Sequence, residues 1–171
     1  MGDVRELSPD EHEDDRRADE REPERPGDAP HLRDDAADGL ARAALEDSIL
    51  YLQEREQFGH PIGDFQALRF AVAEMAAQIE QSRAFYRQVA HLLDLGLPCA
   101  KEASMVKLEA TEMSVRVTNQ AMQLHGGNGY TTERQVERHW RDARLTTIFE
   151  GTSEIQKRII SDRLLPRSPL T

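Results

Sequence analysis

The run KEASMVKLEATEMSVRVTNQAMQL, residues 101–124, decides the architecture. Read at 3.6 residues per turn it carries two apolar stripes, Leu108–Val115–Met122 and Val106–Ala110–Met113–Val117–Ala121. A helix that is apolar on two sides packs against more than one neighbour, so this run predicts the inner helix of a helical domain. It stops at Gly126-Gly127-Asn128-Gly129, where glycine can take backbone angles that end a helix.

The same period continues on both sides. Leu45, Ile49 and Leu52 mark a helix that breaks at Phe58-Gly59-His60-Pro61. A second opens near Asp64, read as its N-cap, and carries Leu68, Val72, Met75 and Ile79. It runs on through Phe85, Val89 and Leu92 to Gly96-Leu97-Pro98. A shorter helical stretch spans Glu133–Ala143. The last helix starts at Ser153, where Ser153-Glu154-Ile155-Gln156 reads as a capping box, and ends before Pro166. No segment alternates at period two. The expected fold is all-α, a four-helix up-and-down bundle over residues 36–171. The two stripes of residues 101–124 also predict self-association, since a small monomer does not easily cover both.

Residues 1–35 have a different texture. They hold 14 Asp and Glu against 6 Arg, a net charge of −8, with four prolines. Such a segment cannot bury enough apolar area to offset its ordering entropy and predicts a disordered acidic tail. The net charge of the whole chain is −10, so the folded part is nearly balanced. No clustered basic face is present for nucleic acid. No stretch reaches the roughly 20 apolar residues of a membrane span. The start, Met-Gly-Asp-Val-Arg-Glu, has no signal-peptide core, and a lone Cys99 forms no internal disulfide. A cytoplasmic protein is expected.

Three motifs stand out, all at helix ends. Arg55-x-x-Phe58-Gly59-x-Pro61 reads most simply as a cation at a helix C-terminus followed by a turn. Gln123-x-x-Gly126-Gly127-x-Gly129-Tyr130 follows a helix and not a strand, so it is no dinucleotide fingerprint. Arg141-Asp142-Ala143-Arg144 is followed by Ile148-Phe149-Glu150-Gly151-Thr152-Ser153. Glu150 before a helix start either answers the helix dipole or, beside Phe149, is a desolvated carboxylate suited to act as a base. The residues alone leave both readings open. His125 and His139 sit in no Glu-x-x-His pattern, so they read as structural hydrogen-bonding residues and no metal site is expected.

In this order and spacing the three motifs resemble those of the C-terminal domain of acyl-CoA dehydrogenases, from about Ala36 to Leu165. The resemblance implies FAD as cofactor and an acyl-CoA thioester as substrate. It implies Glu150 as the base that removes the α-proton while the β-hydrogen leaves as hydride. Arg55 and Phe58 match positions on the pyrophosphate and adenine end of FAD, usually across a subunit interface. Gln123 and Gly127 match the turn that packs on its ADP half. Thr152 and Glu154 match contacts after the catalytic loop, Glu154 departing from members with glutamine there. Some relatives keep the base on another helix and flavin monooxygenases lack the glutamate, so Glu150 favours dehydrogenation or oxidation.

The family's N-terminal helical and middle β domains have no counterpart in these residues. The resemblance therefore implies an incomplete pocket. A complementing chain would carry the missing walls, a homo-oligomer is expected from the bundle itself, and electron-transfer flavoprotein is a further partner. The other expectation is a non-catalytic helical oligomerisation module or a truncated remnant.

Overall fold

In a computed structural model the structure describes residues 35–165. The acidic tail, apart from Asp35, lies outside the described residues. Among the described residues five helices follow in order: α1 Asp35–Glu54, α2 Gln66–Asp94, α3 Ala100–His125, α4 Val136–Thr146 and α5 Ser153–Leu164. They form the helical bundle expected, with α3 touching each of the other four. The Val106–Ala110–Met113–Val117–Ala121 stripe is buried, while Leu108, Val115 and Met122 are half-buried.

The main core joins Ala41, Ala44 and Leu52 of α1, Met75 and Ile79 of α2, Met113, Val117, Ala121 and Leu124 of α3, and Val136 of α4. A second cluster, Val89, Cys99, Ala103 and Val106, closes the α2–α3 turn. α1 presents a face the large side chains did not announce. Ala37, Ala41, Ala44 and Ser48 are the residues pressed flat against the bundle, whereas Leu45 and Ile49 are only half-buried. Small side chains let the helix axes approach, and the larger ones fill the flanks.

Several boundaries differ from the sequence reading for local reasons. Asp64 does not cap α2: it ends a 3₁₀ turn, Ile62–Asp64, and the cap position is Phe65, without a side-chain bond. The cap of α5 is Thr152, whose hydroxyl accepts from the Ile155 amide at 3.4 Å, because Ser153 Oγ is already committed to Glu112 at 2.6 Å. Residues 133–135 stay outside α4, which begins at Val136 and continues to Thr146. Glu56–Gln57 and His60–Pro61 pair antiparallel as β1 and β2 around Phe58-Gly59, a hairpin too short to alternate visibly. Both turn residues have positive φ, 55° and 87°, as a two-residue hairpin with the right twist requires.

Met113 is fully buried where α3 meets its neighbours. Met113→Ala should therefore cost about 2–5 kcal/mol, the usual range for emptying such a site. Urea unfolding of the variant against wild type measures it, with a loss below about 1 kcal/mol contradicting the packing described.

Candidate active site

The first two motifs meet at one end of the bundle. The C-terminus of α3, the end of α1 and the β1–β2 hairpin enclose an open groove of about 300 Å³. Arg55, Gln123 and Gly127 all line it, with Tyr51, His125 and Asn128. Phe58, at the hairpin tip, is 87% exposed and is not part of that lining. Its ring stands edge-on to Phe65.

The groove's floor is held by residues the sequence reading passed over. Tyr51 of α1 is buried, stacks on His125 at 4.4 Å and accepts a hydrogen bond from Asn128 Nδ2 at 2.9 Å. Arg134 lies over the same ring. Gly129 is obligatory for packing, since a Cβ there would stand 2.6 Å from the Met122 carbonyl oxygen. Around Gly127, by contrast, a Cβ would meet nothing, so its backbone borders open space. His125 Nδ1 donates to the Ala121 carbonyl, and His139 Nε2 pairs with Asp47 at 3.2 Å, so both histidines hold the fold together. Among the described residues no group of three His, Cys, Asp or Glu is placed to hold a metal ion.

The third motif forms a closed loop between α4 and α5. The Ser153 amide donates to the Thr147 carbonyl at 3.1 Å and the Phe149 amide to Leu145 at 3.2 Å. Glu150 sits at the loop's apex with φ of 53°, in the left-handed region, followed by Gly151 at 90°. A non-glycine residue held there stores on the order of 1–3 kcal/mol, which the surroundings must impose. They do: Lys107 Nζ donates to the carbonyls of Thr146 at 2.9 Å and Gly151 at 2.8 Å. At φ of 90° a side chain on Gly151 would be strained, and its Cβ would also push aside the Gln156 amide, 2.7 Å away.

Glu150 itself is exposed, and Phe149 beside it is 41% exposed. The desolvated site considered for this carboxylate is therefore not built by these residues alone. Ile148 and Ile155 leave further apolar surface open nearby. Thr152 caps α5, and Glu154 is exposed in its first turn. Hydrogen bonding from its own backbone amide and then the Thr152 hydroxyl hold the Glu154 carboxyl below the ordinary range.

The loop and the groove are far apart. Lys107 touches the loop and Gln123 the groove, and at 1.5 Å per helical residue they are separated by roughly 24 Å along α3. Arg55, Gln123 and Gly127 thus gather in one place and Glu150, Thr152 and Glu154 in another.

A helical bundle with a glycine-turn groove at one end of its central helix and a carboxylate loop toward the other defines the class. Residues 36–165 match the model of the acyl-CoA dehydrogenase C-terminal domain, and the chain belongs to that family. It is 50% identical over 127 residues to a probable acyl-CoA dehydrogenase of Bacillus subtilis (strain 168), covering 74% of this chain and 33% of that protein. It is 44% identical over 129 residues to the caffeyl-CoA reductase–Etf complex subunit CarC of Acetobacterium woodii, covering 75% and 34%. Butyryl-CoA dehydrogenase of Megasphaera elsdenii superposes with a TM-score of 0.73 at 41% identity, covering 75% of this chain and 34% of that one. The chain spans about a third of the length of the curated relatives it matches.

Burial holds the His125 imidazole below its ordinary pKa, outweighing the Ala121 carbonyl it faces and nearby Asp47, while Arg134 adds to the lowering. The unfolded chain then takes up the proton first. The stabilisation is full above the ordinary histidine range and is lost as pH falls. Chemical-denaturation midpoints should drop as pH falls below about 6.5, and His125→Phe should flatten that drop. Equal slopes for both proteins would contradict it.

Proposed function

We propose that this chain is the part of an acyl-CoA dehydrogenase that supplies the catalytic base, Glu150, together with part of the FAD clamp. The observation that carries the reading is the Glu150 loop. A carboxylate is held in a strained left-handed turn, fixed from beneath by Lys107 and bordered by open apolar side chains. Strain maintained at an exposed acid points to use.

The α-proton of an acyl-CoA thioester is weakly acidic, so its removal needs a positioned carboxylate in a dry site. Glu150 takes that proton. Ile148, Phe149 and Ile155, exposed in the isolated bundle, become the apolar walls that exclude water once the remaining pocket covers them. That cover must come from sequence outside these residues, on a complementing chain or elsewhere in a longer polypeptide. FAD, when bound, supplies the acceptor for the β-hydride.

The residues of the groove fit the dinucleotide end of that cofactor. Arg55 offers a fixed positive charge for phosphate, Gln123 an amide, and Gly127 a backbone with space in front of it. Phe58, exposed at the hairpin tip, adds an apolar ring for the adenine end. Thr152 and Glu154 would meet FAD near the loop. Because loop and groove lie roughly 24 Å apart along α3, a second copy of the bundle can bring its groove to the cofactor served by this loop. A homo-oligomer is therefore part of the proposal. Electron-transfer flavoprotein is the proposed redox partner, in keeping with the Etf complex named for the Acetobacterium woodii relative.

Glu150→Gln keeps size and hydrogen bonding but removes the proton acceptor. In the complex that contains the whole pocket, anaerobic flavin bleaching by acyl-CoA should slow by about 10²–10⁴, or about 3–5 kcal/mol of barrier. Flavin content should stay as in wild type. Bleaching at the wild-type rate would move the base elsewhere.

A further inference from the structure

We propose that Lys107 is a positioning residue for the Glu150 loop, acting from inside α3 on the carbonyls at either side of the proposed base. The inference rests on the reading of Glu150 as that base for its functional meaning, and on geometry for its structural content.

Lys107 stands at a core position. It follows Ala103 by four residues and precedes Ala110 by three, on the face that also holds Val106, and it is only 8% exposed. A lysine here is costly to bury unless its donors are used. They are used on the loop: Nζ reaches Thr146 O at 2.9 Å, before Glu150, and Gly151 O at 2.8 Å, directly after it. A single compact ammonium can bridge two converging carbonyls, whereas a planar guanidinium spreads its donors across a fork. The chain has 3 lysines to 19 arginines, and this buried position takes one of the three.

α3 holds the loop a second time, farther along. Glu112 accepts from Ser153 Oγ at 2.6 Å, at the start of α5. The Gln156 amide, on the next turn of α5, lies 3.5 Å from Glu150 O and 3.4 Å from Gly151 O. The segment from Thr146 to Ser153 is thus fastened before and after its apex, and the apex carries the positive φ. With the Lys107 bridge gone, the Thr146 and Gly151 carbonyls lose their charged donor, and the remaining Ser153 and Gln156 contacts hold Glu150 less firmly against relaxation toward ordinary angles.

The test is NMR on the full 171-residue chain, comparing wild type with Lys107→Met. The Phe149 and Ser153 amides should exchange about 10- to 100-fold faster in the variant, the effect of losing charged hydrogen bonds on a local opening. The Glu150 backbone shifts should leave the positive-φ range, while the Met75 and Ile79 amides keep their wild-type exchange. In the complex containing the whole pocket, flavin bleaching should slow with the half-saturating acyl-CoA concentration unchanged, a split that general destabilisation does not produce. Unchanged loop exchange and Glu150 shifts in Lys107→Met would overturn the proposal. Should that variant not fold, Ser153→Ala removes only the Glu112 fastening and should speed exchange of the same two amides. Wild-type Phe149 and Ser153 amides exchanging as in an open coil would also overturn it. A loosened loop in Lys107→Met together with full activity of Glu150→Gln would strike down the base assignment and leave the clamp standing.

Discussion

The burial of α3 against four neighbours at once is the constraint on which the rest depends. A helix in that place leaves only a narrow strip to solvent, at Glu109, Arg116, Asn119 and Gln123, so most of its other polar groups are buried and need partners. Thr111 and Thr118 return their hydroxyls to carbonyls of their own helix, at 2.8 Å each. Lys107 and Glu112 reach outward instead, to the α4–α5 loop. The same helix ends at Gly126 with the turn that borders the groove. One buried rod therefore fixes both the groove and the Glu150 loop and the distance between them.

Much of this was legible in the sequence, because periodicity reports what large apolar residues do. Met75, Ile79, Val89, Met113 and Val117 lie where the 3.6 period places them. What it missed follows from the same bias. The closest face of α1 is made of Ala37, Ala41, Ala44 and Ser48, which a reading weighted by large side chains passes over. Capping rules misassigned two caps, since Asp64 entered a 3₁₀ turn and Ser153, though the first residue of α5, was drawn away by Glu112, a partner 41 residues earlier.

The motifs were visible and their grouping was not. Spacing along the chain cannot tell that Arg55, Gln123 and Gly127 share a groove while Glu150 stands apart from them. The supporting residues, Tyr51, Asn128, Arg134 and Lys107, act through contacts that fold-level pattern does not encode. Lys107 did leave one signal, a charge in the apolar row of α3 beside Val106. A cation in such a row is worth following to its acceptors, and here they flank the carboxylate of the third motif.

In the proposed reading this bundle contributes the base and part of a flavin clamp to a pocket completed from outside it. An exposed Glu150, an open groove and their separation along α3 all follow from that division. Affinity for a large cofactor comes from enclosing most of its surface, and the groove encloses little. The direct measurement is the absorbance spectrum of the chain after gel filtration with added FAD, alone and with the segments that complete the pocket. Almost no flavin should be retained on the chain alone, and one flavin per bundle in the completed assembly. Stoichiometric yellow protein from the chain alone would contradict it.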